Sequence, residues 1–178
     1  MPLILGIDLG TTTLTAIAVD LPAGRVIQWA TAPTPVCDTA HGVTALLRSG
    51  LALLAQVSDK LGRRAGEIAG LGITGQQHGV VLLSDRLRPL TPFWTWQDNI
   101  GNQPRPGSSE TWAEHARALV GDAPTRTGCR LRAGYGIVTL LARRDHLPDK
   151  AIVCTIMDLF GTVLTGLRPV TEPTCAAS

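Results

Sequence analysis

The sequence lacks the features of a membrane protein and of a nucleic-acid-binding protein. None of its apolar runs reaches the ~20 residues that a helix needs to cross a bilayer, because Gly, Asp and Thr interrupt each run. The net charge is only +2 over 178 residues, and the arginines are scattered rather than clustered. Such a chain has no electrostatic reason to bind nucleic acid or an anionic membrane, so we predict neither partner.

Paired cysteines and a leader are missing too. The four cysteines, Cys37, Cys129, Cys154 and Cys175, are far apart and form no C-x-x-C pair, so zinc is not expected. The N-terminus has no charged region before an apolar stretch and enters a strand pattern at once. These absences predict a cytoplasmic protein with reduced, structural thiols.

The residues that are present describe a globular α/β domain. A hydrophobic fraction of 44% and a charged fraction of 17% are enough to build a core, and 178 residues suggest one domain. The chain closes on VTEPTCAAS, which is not a polar tail. We therefore expect residues 1–178 to be part of a longer unit.

Three strands are predicted in succession, at residues 3–9, 14–20 and about 24–33. The first two are joined through Gly10 and threonines, and the next two through LPAGR, which supplies turn geometry. Sequential strands with short turns predict an antiparallel meander.

Helices and strands alternate after the meander, which predicts an α/β layout. Apolar residues at helical spacing follow as far as residue 61 and predict a helix, with Asp38 or Thr39 as its N-cap and Gly62 as its end. EIAGLGITG (67–75) predicts a buried strand, and GVVLLS (79–84) predicts another. The later predictions are a helix from Ser108 or Ser109, a helix over 136–146, a strand over 151–156, and a helix capped by Asp158 and ended by Gly166.

GLGITG (70–75) fits the glycine pattern of a dinucleotide-binding turn, but its context does not. That turn must open a helix, so that the helix N-terminus meets a pyrophosphate. Here QQHGVVLL follows, which predicts a second strand. A dinucleotide site is therefore not expected, and there is no P-loop motif.

DLGTTT (8–13) carries a more specific signal. A strand ending in Asp8, then Gly10 and hydroxyl residues, then a second strand, predicts a tight hairpin with amides and hydroxyls pointing outward. Such donors suit phosphate oxygens. Asp8 would hold Mg²⁺ through water, since that ion keeps much of its hydration. An ordinary hairpin, with Asp8 and the threonines serving turn hydrogen bonds, is the open alternative.

Several motifs together resemble one family. GIDLGTTT looks like the first phosphate motif of the actin and sugar-kinase superfamily. GITGQQHGVVLL resembles the GQMHG element of the FGGY carbohydrate kinases, and TWQDN resembles their sugar-contacting segment. TGCRLRAGYGIVTLLARR and MDLFGTVLTGLRPVTEPTCAAS look like later parts of the same N-terminal domain. Sedoheptulokinase-like and xylulokinase-like members are the most similar.

The resemblance implies a fold and a set of site residues. The fold would be ribonuclease H-like (actin-like ATPase), with a mixed sheet, the N-terminal meander and flanking helices. Asp8 would be the catalytic and metal-binding acid, and the cofactors would be ATP and Mg²⁺. The implied phosphate turn is Gly10, Thr11 and Thr12, and the implied sugar contacts are Gln77, His78, Trp96 and Asp98.

Elementary chemistry agrees with these roles. A carboxylate accepts hydrogen bonds from two neighbouring hydroxyls of a polyol, and an indole packs on the carbon face of a sugar. The alternative for His78 is an ordinary histidine with its hydrogen bonds satisfied. Simple packing is the alternative for Trp96, and for Trp94 it is the better interpretation.

Two positions depart from the family pattern. Gln77 stands where most members have Met, and Ile100 stands where many have Arg, which removes a forked cationic donor. The resemblance also implies that the general base and most of the adenosine pocket lie beyond Ser178. We therefore expect an incomplete N-terminal domain of a ketose kinase, inactive alone and bound to a small sugar; a homodimer is left open. The alternative is a non-catalytic sugar-binding or regulatory module, which Gln77 and Ile100 favour; an actin-like ATPase without a sugar site is disfavoured by GQQHG and TWQD.

Overall fold

The computed structural model describes residues 2–176, which contain a four-stranded mixed sheet. β1 (Leu3–Leu9), β2 (Thr13–Asp20) and β3 (Arg25–Pro33) form an antiparallel meander. β4 (Ile68–Gly75) pairs with β1 in parallel, which gives the order β3-β2-β1-β4. The predicted mixed sheet with an N-terminal meander is confirmed.

The remaining elements are helices and a second, two-stranded sheet. The helices are α1 (Ala40–Leu61), α2 (Trp112–Val120), α3 (Ala123–Thr127), α4 (Gly136–Arg143), α5 (Ile156–Thr165) and α6 (Pro173–Ala176). Short 3₁₀ turns cover Gly62–Glu67, Ile100–Asn102 and Arg144–His146. β5 (Val81–Leu83) and β6 (Ile152–Cys154) pair antiparallel.

One face of the main sheet is buried. Successive side chains of a strand point to opposite faces, and in β1 the alternate residues Leu3, Ile7 and Leu9 are almost fully buried. They join a cluster that includes α1 residues and Phe160 of α5. The core therefore lies between this face of the sheet and the helices that cover it.

The opposite face of the sheet is only partly covered by the described residues. Ile4, Gly6, Ile17 and Gly72 line a shallow depression on it. The prediction that residues 67–75 form a buried strand is therefore wrong in part. β4 is an edge strand in the described sheet, and its alternate residues reach solvent.

The ends of α1 follow local rules. The hydroxyl of Thr39 accepts a hydrogen bond from the Gly42 amide at 3.0 Å, so Thr39 rather than Asp38 is the N-cap. Gly62 follows with a φ of 57°, a conformation that glycine adopts without steric cost, and the helix ends there as predicted.

Two predicted caps are wrong. α2 begins at Trp112, later than Ser108 or Ser109, because Thr111 and Glu114 form a capping box. Asp158 is not the N-cap of α5 but its third residue. Thr155 caps this helix and Asp158 closes the box, with its Oδ2 accepting from the Thr155 amide at 2.9 Å.

Other expectations about the chain have clear outcomes. GLGITG lies in β4 and leads into β5 rather than a helix, so the pyrophosphate geometry is absent there. Burial raises the pKa of the Cys37 thiol to about 11 and that of Cys154 to about 12, so both stay protonated near neutral pH. Among residues 2–176, no helix combines the length and the apolarity that a membrane span requires.

Candidate functional site

The turn between β1 and β2 is built around a close backbone approach. A Cβ at Gly10 would lie 2.6 Å from the carbonyl oxygen of Thr13 and 3.3 Å from Oδ2 of Asp8. Only glycine fits this position without moving the turn. Asp8 sits beside it, exposed near the end of β1 and paired in register with Thr15 and Thr74.

Thr34 holds this turn from the next connection. Its hydroxyl donates to the Gly10 carbonyl at 2.9 Å, and its amide donates to the Thr12 carbonyl at 3.0 Å. Within residues 2–176, the amides of Thr11 and Thr12 donate no hydrogen bond to the backbone. The Gly10 and Thr12 carbonyls are therefore engaged, and the Thr11 and Thr12 amides are available for an anion.

Asp8 fits a weakly bound Mg²⁺ better than a protein-caged metal. The described residues contain no cluster of three or more His, Cys, Asp or Glu side chains that could hold an ion. Magnesium keeps several waters and often uses one or two carboxylates together with substrate phosphates. The exposed Asp8 carboxylate supplies one such oxygen ligand, and the neighbouring amides are placed to hold phosphates rather than the ion.

A pocket of about 400 Å³ opens beside Trp96, whose indole contacts Thr11 of this turn. It is lined by His78, Trp96, Arg132, Gly134 and Tyr135. The His78 and Tyr135 rings stack with their centroids 4.0 Å apart and their planes 6° apart. The pocket thus offers two aromatic surfaces, an imidazole and a guanidinium, which suits a small polar ligand with a carbon face.

His78 is strained and held neutral. Its φ is 67°, a left-handed conformation that is unusual for a residue with a Cβ and that recurs at functional sites. Burial lowers the pKa of His78 below its ordinary value of 6.5. Its Nδ1 is buried and has no hydrogen-bond partner among the described residues, so polar contacts with a ligand fall to Nε2.

Backbone contact fixes the loop that carries Trp96. Trp94 and Val80 exchange backbone hydrogen bonds at 2.9 and 3.0 Å. A Cβ at Gly134 would lie 1.8 Å from the Trp96 carbonyl oxygen, so residue 134 must be glycine for the two segments to meet. The indole of Trp96 is still 49% exposed, which leaves a face free for a ligand.

Trp96 also reaches the turn after β1. Its Nε1 donates to the Thr11 hydroxyl at 3.0 Å, across 85 residues of sequence. The Thr11 hydroxyl in turn donates to Oε1 of Gln76 at 3.3 Å, which is long for this type of bond. The backbone amide of Gln76 donates a hydrogen bond to the Leu9 carbonyl at 3.1 Å. The pocket and the turn are therefore joined directly.

Asp98, a predicted sugar contact, is engaged elsewhere in the structure. Its Oδ2 accepts from Nη2 of Arg143 at 2.7 Å, and its Oδ1 accepts from the Ile100 amide at 2.9 Å. Asp98 does not line the pocket of His78 and Trp96. A sugar hydroxyl would have to share this carboxylate with Arg143.

Three other positions were singled out from the sequence: Gln77, Trp94 and Ile100. Gln77 is exposed, while Trp94 is half-buried with the guanidinium of Arg143 4.9 Å from its ring centroid. That contact agrees with a packing role for Trp94. Ile100 begins a 3₁₀ turn and brings no charge to the site.

Four residues near the site were not predicted: Gln76, Arg132, Tyr135 and Arg143. Tyr135, the chain's single tyrosine, stands between two glycines just ahead of a helical pattern, and that isolated aromatic was a readable signal. Arg132 and Arg143 look like ordinary surface arginines in the sequence. Their positions depend on how separate segments pack.

The fold and site define a class. The chain superposes on the crystal structure of xylulose kinase from Rhodospirillum rubrum with a TM-score of 0.80 and 27% identity, over 98% of this chain and 36% of that one. This is the actin-like ATPase fold of sugar kinases. The chain belongs to the FGGY family of carbohydrate kinases, whose N-terminal domain matches residues 3–177.

Curated relatives agree with this family. The xylulose kinase of Streptomyces rubiginosus is 32% identical over 155 residues, which is 83% of this chain and 30% of that protein. The xylulose kinase of Streptomyces coelicolor is 29% identical over 157 residues, or 84% of this chain and 30% of that protein. The chain therefore spans less than a third of the length of these relatives.

Proposed function

We propose that this chain is the first part of the N-terminal domain of an ATP-dependent kinase acting on a ketose hydroxyl. The observation that carries the proposal is the 3.0 Å hydrogen bond from Trp96 Nε1 to the Thr11 hydroxyl. It means that a sugar-sized pocket directly adjoins a turn suited to phosphate. Phosphoryl transfer needs these two sites side by side, because its catalysis is mainly positioning and charge stabilisation.

The phosphate side of the proposed site consists of Asp8, Gly10, Thr11 and Thr12. When bound, ATP supplies the phosphoryl group and Mg²⁺ neutralises part of its charge. The amides of Thr11 and Thr12 would orient phosphate oxygens, since these amides have no backbone acceptor while the Gly10 and Thr12 carbonyls already accept from Thr34. Asp8 would hold the hydrated cation through its exposed carboxylate.

The sugar side consists of His78, Trp96, Gln77 and Asp98. Neutral His78 can donate or accept through Nε2, which suits a hydroxyl group. The exposed indole of Trp96 would cover the carbon face of the sugar. Gln77 is exposed and Asp98 is shared with Arg143, so both would contact the sugar at the rim of the site.

A general base is the missing part. Three of the seven acids after residue 98 have structural roles: Glu114 and Asp158 close helix capping boxes, and Glu110 is paired with Arg105 at 2.6 Å. We propose, as the resemblance to the family implies, that the base lies outside residues 1–178. The chain would then bind sugar without phosphorylating it at a useful rate.

Two measurements test the proposal. Calorimetry should detect binding of D-xylulose or sedoheptulose, and Trp96→Ala should weaken it about tenfold through lost aromatic packing. Trp29→Ala is the matched control, because Trp29 is also exposed, at 62% against 49% for Trp96, but lies on β3, outside the pocket. Absence of binding by both ketoses would contradict the assignment. A coupled ADP-release assay should show no turnover, and robust turnover would refute the claim of inactivity.

A non-catalytic sugar-binding module is the second candidate. It is favoured by Ile100, which brings no cationic donor, and by the pairing of Asp98 with Arg143. Titration of the ketose with and without Mg-ATP separates the candidates: a kinase site should respond to the nucleotide, and a module should not.

Three finer points belong to the same proposal. The ketose would be sedoheptulose-like or xylulose-like, and their affinities in the same titration rank them. A cytoplasmic location follows from the need for ATP, and localisation of a tagged chain would check it. A homodimer is an open prediction, which light scattering during gel filtration measures.

A further inference from the structure

The hydrogen bond between Trp96 and Thr11 has a fixed direction. An indole N–H can only donate, so the Thr11 oxygen is the acceptor. The single hydroxyl hydrogen of Thr11 must then point away from the indole. In the structure it points to Oε1 of Gln76, at 3.3 Å.

That second bond is the weaker one. Hydroxyl donors normally lie 2.5 to about 3.0 Å from their acceptors, so the contact with Gln76 is stretched. A phosphate oxygen is a charged acceptor and forms shorter, stronger hydrogen bonds than a neutral amide oxygen. Phosphate bound at the turn would therefore replace Gln76 as the acceptor of the hydrogen bond from the Thr11 hydroxyl. Trp96 would continue to donate to the Thr11 oxygen.

We infer that Trp96 is a positioning residue for the phosphate turn, acting through the hydroxyl of Thr11. The inference rests on the proposed function, because it joins the sugar pocket to the phosphate turn of the same site. A sugar packed on the exposed face of Trp96 restrains the indole, and the restrained indole holds the Thr11 hydroxyl ready to donate.

The loop around Trp96 supports this role. Paired backbone bonds between Trp94 and Val80 anchor the loop on one side, and the close approach of Gly134 fixes the Trp96 carbonyl on the other. The Trp96 backbone is therefore fixed by packing, and the ligand controls mainly the ring. A tryptophan that only covered the turn would not need the hydrogen bond from its Nε1 to the Thr11 hydroxyl.

The coupling between the two ligands must be reciprocal. Sugar should raise the affinity for phosphate by the same factor as phosphate raises the affinity for sugar. A factor on the order of three to ten is expected if one neutral hydrogen bond carries the coupling. Removal of either partner of the bond should reduce the factor to about 1.

The experiment uses the 178-residue chain, D-xylulose, and inorganic phosphate with Mg²⁺. The chain has four tryptophans, and the indole N–H signal that disappears from the nitrogen–proton spectrum of Trp96→Phe identifies residue 96. Phosphate should shift this signal in the wild type and in Thr11→Ser, which keeps the hydroxyl. It should not shift it in Thr11→Val. Thr13→Val is the matched control and should respond like the wild type.

Calorimetry then measures the coupling. The wild type should bind D-xylulose more tightly in the presence of phosphate, and Trp96→Phe, which keeps an aromatic face but has no donor, should lose that gain. This second variant decides the matter if Thr11→Val does not fold. An equal phosphate shift in Thr11→Val, no shift in the wild type, or full coupling in Trp96→Phe would overturn the inference.

The two proposals fail in different ways. If D-xylulose does not bind, but phosphate still moves the Trp96 signal only when Thr11 has its hydroxyl, the ketose assignment is wrong and the positioning role is supported. If D-xylulose binds normally and the Trp96 signal ignores residue 11, the positioning role is wrong and the sugar site stands.

Discussion

Asp98 and Arg143 form an ion pair that links the Trp96 loop to the end of α4. The Arg143 Nη2 lies 2.7 Å from Asp98 Oδ2, and the side chains are 32% and 13% exposed. The same guanidinium lies over the ring of Trp94. One arginine therefore holds both a predicted sugar contact and the loop that carries it.

Loss of Arg143 should loosen this loop. Arg143→Leu leaves a mostly buried carboxylate without its charged donor, which should lower the free energy of unfolding by about 1–3 kcal/mol. Ketose affinity should fall as well, because Trp96 lies two residues before Asp98. Urea unfolding followed by calorimetry measures both effects.

A neighbouring arginine gives the control. Arg144 pairs with Asp145 at 3.5 Å, and both side chains are exposed. The Arg144 guanidinium also lies 5.3 Å from the centroid of the Trp112 ring. An exposed ion pair and an exposed cation–π contact are each worth about 1 kcal/mol or less, so Arg144→Leu should cost less than Arg143→Leu. Equal effects of the two substitutions would contradict the role given to Arg143.

His78 should make the stability of the chain depend on pH. Burial lowers its folded-state pKa, so the unfolded state takes up a proton at a higher pH than the folded state does. Stability should then be unaffected above about pH 7 and fall as the pH drops through the unfolded value of about 6.5, until the folded pKa is passed.

His78→Asn tests this sign. Asn tolerates the left-handed conformation at residue 78, and it does not titrate in this range. The wild-type free energy of unfolding should decline more steeply than that of the variant between pH 7 and 5. Measurements at pH 8, where both side chains are neutral, show the effect of the substitution alone. Parallel pH profiles would contradict the argument.

Much of the fold was predictable because it depends on local rules. Three strand patterns in succession, with turn residues between them, predicted the meander. Gly62 marked the end of α1 because glycine readily adopts the positive φ found at that position. The start of α2 was also readable, since Thr111 and Glu114 have capping-box spacing, but Ser108 and Ser109 compete as caps.

The contacts of the site were harder to predict because they join distant segments. His78 and Trp96 were singled out, yet nothing in the sequence pairs His78 with Tyr135 or Trp96 with Thr11. Such pairs depend on loop packing that leaves no periodic signal. The engagement of Asp98 by Arg143 was missed for the same reason.

Gly134 should be intolerant of any side chain. In Gly134→Ala the new Cβ would lie 1.8 Å from the Trp96 carbonyl oxygen, so one of the two segments must move. Overpacking of this kind typically costs about 1–3 kcal/mol. Unfolding measurements should show that loss, and the Trp96 indole signal should shift.

Gly66→Ala provides the comparison. No atom lies within 4 Å of a Cβ built on Gly66, and its φ is negative, so this substitution should be nearly neutral. A similar loss of stability in both variants would show that the close approach at Gly134 is not the cause.

Gly50 and Gly161 should respond to alanine with opposite signs. Both lie inside helices, α1 and α5, where replacement of Gly by Ala is normally worth about 1 kcal/mol. At Gly161 the nearest atom to a new Cβ is Cδ1 of Ile73 at 3.8 Å, so the full gain is available. Gly161→Ala should therefore stabilise the chain by up to about 1 kcal/mol.

At Gly50 the same Cβ would lie 2.6 Å from Cε2 of Phe160. Phe160 is fully buried, so its ring has no free space to move into, and an overpacking cost of about 1–3 kcal/mol exceeds the helical gain. Gly50→Ala should thus lower the urea midpoint while Gly161→Ala raises it. A rise in both midpoints would mean that α1 and α5 can separate without cost, which contradicts the close packing of Gly50 on Phe160.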